Sequence, residues 1–338
     1  MQTCCVCLDE KVLIPLETCS HGICSKCIVR VLRADPRCPL CRDNGFDRDD
    51  DSSSDSDSSS ESSVGEQRDL LDEVHQDEPV EELSSQYLNQ TLVGHRDRVR
   101  AVAVFADSKR VVSGGGDYNV KIWDANTGAE LRTLSGHSSC VNAVAVFADG
   151  KRVVSGSADC TVKIWDAESG QERCTLSGHT GWVNAVAVFE NEDGKRVVSG
   201  SDDNTVKIWD ANTGQERCTL SGHSGFVMAV AVFADGKRVV SGSYDDTVKI
   251  WDAESGAELC TMSGHHDWVN AVAVFADDTK VVSGSTDGTV KIWDAESGQE
   301  RCTLSGHSCH VIAVTVSADG TKVVSGSSDD TVKIWNLE

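Results

Sequence analysis

The chain is short of positive charge. Its 338 residues carry 31 Lys/Arg against 54 Asp/Glu, a formal net charge of −23. A surface this acidic repels phosphate backbones, which argues against nucleic-acid partners. Long apolar runs are missing as well. None approaches the ~20 residues of a membrane-spanning helix, so no membrane role is expected. The first metal-binding type of residue, Cys4, comes so early that no signal peptide fits before it. Without a secretory signal, the 15 cysteines are not expected to form a disulfide framework. The expected context is therefore reducing: cytoplasm, nucleus or both. Sustained heptads are absent too. Leu70, Leu71 and Val74 allow one or two helical turns before Pro79. That is too short for a coiled coil, and the oligomeric state stays open.

Charge is unevenly placed. Residues 1–42 hold six Lys/Arg and four Asp/Glu, while residues 43–82 hold two against sixteen. The centre of that acidic stretch, residues 47–63, has no aromatic or β-branched side chain. It cannot bury enough apolar surface to offset its ordering entropy, so residues 43–85 read as a disordered linker. A coil of about 40 residues spans roughly 35 Å root-mean-square, more if self-repulsion extends it. Ser52, Ser54 and Ser58 each precede an acid by three positions (Asp55, Asp57, Glu61), a pattern that resembles acidophilic kinase sites. A plain solvated spacer accounts for the same residues.

Eight soft ligands crowd into residues 1–42: Cys4, Cys7, Cys19, His21, Cys24, Cys27, Cys38 and Cys41. Seven thiols and one imidazole make two tetrahedral sets, the number and type that two structural Zn2+ ions need. Every position is filled by protein, so neither site is left open for water, as metal-assisted hydrolysis would require. So small a segment has little core. Zinc binding, worth about 10–16 kcal/mol in structural sites, would supply much of its folding energy.

The remainder repeats. Gly-His pairs place histidines at 95, 137, 179, 223, 265 and 307, in steps of 42, 42, 44, 42 and 42 residues. The longer step comes from two extra residues in FENEDGK (189–195), read as a turn insertion. Each unit alternates short β-branched runs with Gly, Asp and Asn, which predicts four strands joined by tight turns. Four strands at this period mark a β-propeller blade. The fold class is therefore mostly β: six blades over residues 86–338, behind a small two-zinc domain and an acidic linker. The blade units run approximately 94–134, 136–176, 178–220, 222–262, 264–304 and 306–338. The last unit stops before its fourth strand. Residues 86–92 align with 131–134 and 174–176, and are expected to close the ring by supplying that strand. Cys174, Cys218, Cys260 and Cys302 recur at one position and are expected to fill small buried sites.

Residues 86–338 resemble the WD40-repeat family: Gly-His is followed by Trp-Asp in five consecutive units, and by Trp335-Asn336 in the sixth. The resemblance implies a buried hydrogen-bonded set in each blade, such as His137, Ser155, Asp159 and Trp165. Six copies of a Ser-His-Asp set read as scaffold rather than catalyst. Two positions differ between units. One holds Arg98, Cys140, Trp182, Phe226, Trp268 or His310; the other holds Gly116, Ala158, Asp202, Tyr244, Thr286 or Ser328. In the family both lie on one face around the channel. Trp182, Phe226, Tyr244, Trp268 and His310 would then form a face that binds a protein or peptide substrate, with Arg98 and Asp202 orienting it. The plainer reading is that these aromatics only cap the blades.

Residues 1–42 resemble the RING finger family in its three-Cys, one-His, four-Cys form. A PHD-type finger places its histidine one ligand later and fits less well. The RING resemblance implies interleaved sites: Cys4, Cys7, Cys24 and Cys27 on one zinc, Cys19, His21, Cys38 and Cys41 on the other. It also implies a ubiquitin-conjugating enzyme docked on Val6, Val31 and Pro39. Arg42 would bridge that enzyme and its charged ubiquitin. Together the two resemblances imply a RING-type ubiquitin–protein ligase with substrate on the propeller. The alternatives are a scaffold whose RING only mediates assembly and a ligase for a ubiquitin-like modifier.

Overall fold

The computed structural model describes residues 90–337, together with the backbone of β1 (Cys4–Leu8) and β2 (Val12–Leu16). These two strands pair antiparallel, with Cys4 opposite Leu16 and Val6 opposite Ile14. The side chains of Cys4, Val6 and Cys7, the rest of the paired zinc sites, the linker, and the expectations placed on Val31, Pro39 and Arg42 lie outside the described residues.

From Val99 onward the chain forms six antiparallel sheets in sequence order. The first contains β3 (Val99–Val104), β4 (Arg110–Gly115), β5 (Asn119–Asp124) and β6 (Glu130–Ser135). The next four sheets are also four-stranded, and the sixth has three: Val311–Val316, Lys322–Ser327 and Val332–Asn336. The inner strand of each blade packs on that of the next. The insertion in the third unit lengthens a hairpin rather than only a turn. Its strands run Val183–Asn191 and Gly194–Ser201, paired to their tips.

The hydrophobic cores lie between blades. In the first interface, Ala101, Ala103, Phe105, Val112, Val120, Ile122 and Leu134 meet Val141, Val144, Val146, Val153, Trp165 and Ala167 of the second blade. Five such clusters join the six blades in order. Sandwiching explains why the third strands read V-K-I-W with every residue buried in the first five blades: alternate side chains face different neighbours. Close approach also fixes a glycine. A Cβ on Gly284 would come within 2.6 Å of Val311 Cγ1, and Gly114 is as tightly placed against Val141.

Of the ring closure expected from residues 86–92, the described residues show only a contact with the first blade and no strand added to the sixth sheet. Gln90 Nε2 donates to the Asn126 carbonyl at 3.1 Å. Gln90 also crowds Gly128, as Arg132 crowds Gly170 and Cys174 crowds Gly214 in later blades. Residue 90 thus sits against the first blade as an outer-strand residue of a preceding blade would. Residues 86–89 lie outside the described residues, and 90–92 form no strand. The cysteine expectation needs one correction. Cys174, Cys218 and Cys260 are partly buried beneath the turn of the following blade, whereas Cys302 is exposed. Among the described residues the sixth blade has no such turn to cover it.

Candidate functional site

Each blade builds the same hydrogen-bonded set. In the second, His137 Nδ1 lies 2.8 Å from Asp159 Oδ2 and His137 Nε2 lies 2.7 Å from Ser155 Oγ. Trp165 Nε1 donates to that Oγ at 2.8 Å. An indole N–H can only donate, so the buried serine accepts from Trp165 and gives its own proton to His137 Nε2. The proton on Nδ1 then points at Asp159. Asp159 also accepts from the Thr161 hydroxyl and the Ser138 N–H. Burial opposes its charge, but His137, Thr161 and Ser138 outweigh burial and hold the carboxyl well below the usual carboxylate range. Burial is likewise outweighed at Asp203, Asp245 and Asp287. The glycine of each Gly-His pair makes room for the tryptophan: a Cβ on Gly136 would stand 3.1 Å from Trp165 Cη2. Every donor is consumed internally, so the set is a strut and holds no reactive group.

Two further sets escaped the sequence reading. Lys163 Nζ, nearly buried, pairs with Glu172 at 2.8 Å and Thr175 at 2.7 Å, tying the third strand to the fourth. Lys121, Lys207, Lys249 and Lys291 do the same in their blades. The inner strand of every blade also shifts register after its first valine, a β-bulge. The bulge re-aims Asn142, Asn184 and Asn270 so that each donates to the Val183, Val227 or Val311 carbonyl of the next blade. The signal was the repeated V-N-A, hidden because the fourth blade has Met228 and the first Arg100.

The two variable positions meet in every blade. The N–H of Gly116, Ala158, Asp202, Tyr244, Thr286 or Ser328 donates to the carbonyl of Arg98, Cys140, Trp182, Phe226, Trp268 or His310, at 2.8–2.9 Å. All twelve residues therefore gather at one end of the strands. The structure brings three of the expected aromatics together. Tyr244 stacks on Trp268 of the next blade, with ring centroids 4.0 Å apart and planes at 11°. Phe226 lies 5.7 Å from Tyr244. Such pairs hold a rigid apolar surface. Phe226 is 45 % exposed and Trp182 51 %, so side chains of core type face solvent. Trp182 stands on the third blade beside Asp202, whose carboxylate accepts from Asn184. Arg98, exposed on the first blade, and His310, half-buried on the sixth, belong to other sectors of the same face.

Acid surrounds the aromatic cluster. Asp267 Oδ1 accepts from the Trp268 N–H at 2.8 Å. Asp246 has its carboxyl pushed up by burial and by the neighbouring charges of Asp267, Asp245 and Asp287. Among the described residues no group of three or more His, Cys, Asp or Glu side chains is arranged to hold a metal ion.

A family model described as "WD domain, G-beta repeat" matches residues 86–124, 128–166, 170–210, 214–252, 256–294 and 298–336. The matched unit starts one strand ahead of the structural blade. Residues 86–92 therefore hold in the first unit the place that 128–134 hold in the second. No curated protein matches the chain.

Proposed function

Because this chain belongs to the WD40-repeat family, with a propeller suited to protein partners, we propose that it is a RING-type ubiquitin–protein ligase whose propeller holds the substrate. The observation that carries this reading is the eight-ligand spacing of residues 4–41, joined through an acidic linker to a propeller with exposed aromatics. The donor set fits zinc: seven thiolates and one imidazole satisfy two tetrahedral ions with no position left over. Cys4, Cys7, Cys24 and Cys27 would hold one ion, and Cys19, His21, Cys38 and Cys41 the other. Bound zinc supplies folding energy to a segment too small for its own core.

The protein's part in the reaction is positional. Val6, Val31 and Pro39 offer an apolar groove to a ubiquitin-conjugating enzyme. Arg42 presents a planar, permanently charged fork that reaches carbonyl groups of the enzyme and its ubiquitin together. Fixing the charged ubiquitin in a reactive orientation accelerates transfer without a covalent intermediate on the ligase. The propeller holds the acceptor protein within reach of the linker. Cys174, Cys218 and Cys260 serve as packing thiols, which suits the cytoplasm or nucleus.

A second reading, a scaffold whose RING only mediates assembly, is favoured by Val31, since many active RING fingers carry a larger aromatic there. One assay separates the two. The purified chain is incubated with ubiquitin, activating enzyme, ATP and a panel of conjugating enzymes. The expected outcome is ubiquitin conjugation that drops about tenfold in Arg42→Ala and vanishes in Cys24→Ala. Inactivity with every conjugating enzyme, in protein that binds two zinc ions by elemental analysis, decides for the scaffold.

A further inference from the structure

We propose that the Phe226–Tyr244–Trp268 cluster docks a basic, extended peptide segment, with Arg or Lys side chains laid on its rings and paired with Asp202, Asp246 and Asp267. This rests on the reading of the same face as the partner-binding surface and names the chemistry it selects.

The argument is charge complementarity on a preformed apolar surface. Across blades three to five, the turns at this end (residues 180–182, 202–204, 224–226, 244–246, 266–268 and 286–288) contain six aspartates and no Lys or Arg. Three of the six, Asp203, Asp245 and Asp287, are engaged by His179, His223 and His265 inside the blades. The other three neighbour aromatic residues along the chain or through a main-chain bond. Asp202 follows the Trp182 carbonyl contact, Asp246 lies two residues past Tyr244, and Asp267 immediately precedes Trp268. Burial and the nearby charges of Asp267, Asp245 and Asp287 raise the Asp246 carboxyl, with His265 opposing them, so repulsion among the aspartates persists there. A guanidinium or ammonium would relieve that repulsion and meet the negative faces of the rings at once.

The stacked Tyr244–Trp268 pair gives such a cation a wall that needs no ordering. The basic residues at this end sit elsewhere: Arg96 and Arg98 belong to the first blade. Blades three to five therefore offer a basic segment an acidic sector without competing Lys or Arg in these turns. An acidic segment would meet repulsion over blades three to five.

The test uses the full chain and three fluorescent pools of short random peptides: one enriched in Arg and Lys, one neutral, one enriched in Asp and Glu. Fluorescence anisotropy should show the basic pool binding roughly tenfold more tightly than the neutral pool. The acidic linker also attracts cations, so the decisive quantity is the difference between the native chain and the double variant Tyr244→Ala, Trp268→Ala, in which the linker is intact. That variant should lose most of the preference while keeping the native thermal melt. Asp246→Asn with Asp267→Asn, which keeps the rings, should lower it several-fold. Equal binding of the basic pool by native chain and double variant overturns the proposal, as does a preference for the neutral or acidic pool. The titration needs no conjugating enzyme. Loss of this inference with ligase activity intact, and loss of ligase activity with peptide binding intact, are therefore separate results.

Discussion

The fifth and sixth blades are nearly the same sequence in different surroundings. Both contain V-V-S-G-S and T-V-K-I-W, and both build the His–Ser–Trp set at almost equal distances. Yet Ile292 is 2 % exposed and Ile334 47 %. Lys291 is tied to Glu300 and Thr303 on a fourth strand. Among the described residues no such strand lies beside Lys333. A Cβ on Gly284 would collide with Val311, whereas one on Gly326 would find nothing nearer than Ala313 Cβ at 4.0 Å. The first blade is the mirror case: Val104, whose counterpart Val146 is buried, is exposed, and Val99 and Val102 are half-buried. The difference teaches that a blade's sequence fixes its internal hydrogen bonds, while its neighbours determine how much apolar surface it buries.

Three experiments sharpen or break that comparison. Trp293→Ala removes a fully buried ring and should cost about 3–5 kcal/mol in urea unfolding; Trp335→Ala, at a half-buried site, should cost roughly half as much. Equal losses would mean that the sixth blade is as well packed as the fifth. Gly284→Ala forces a methyl against Val311 and should cost about 1–3 kcal/mol, while Gly326→Ala should stay within about 0.5 kcal/mol. A matching loss at Gly326 would place a further surface against the sixth blade. The smallest effect concerns acid. The Asp287 and Asp329 carboxyls are held below their ordinary range, so their contribution is complete above the unfolded value and is lost as pH falls below about 4. Asp287→Asn should flatten the fall of the urea midpoint between about pH 5 and 3, and Asp329→Asn less so, because Ser328, Asp330 and Thr331 around it are exposed. Identical slopes for both variants and the native chain would remove these carboxylates as the acid-sensitive groups.

Much of this was legible in the sequence because it recurs. Six Gly-His pairs, each followed by a tryptophan 28 residues after its histidine (30 in the third unit), announce the blades and the His–Ser–Asp–Trp set without any structure. The buried lysines were not legible, since a lysine between valine and isoleucine reads as a solvent-facing strand position until its Glu and Thr partners appear on the next strand. The inner-strand asparagines were hidden for a related reason: a β-bulge is a matter of register, and register is not written in one strand. Trp182, Phe226, Tyr244 and Trp268 could be named as variable positions. That Tyr244 stacks on Trp268 of the following blade, leaving Trp182 beside Asp202, depends on the angular step between blades.

The main-chain bond that joins the two variable positions of each blade has a consequence for how such a protein changes. The bond uses only N–H and C=O, so it survives almost any pair of side chains. The twelve residues it gathers can be rewritten while the frame beneath them is copied unaltered. The molecule thus separates grammar from vocabulary. Duplication multiplies the grammar, and drift at two letters per blade composes a new message, so that selectivity can diverge between sister proteins long before their stability does.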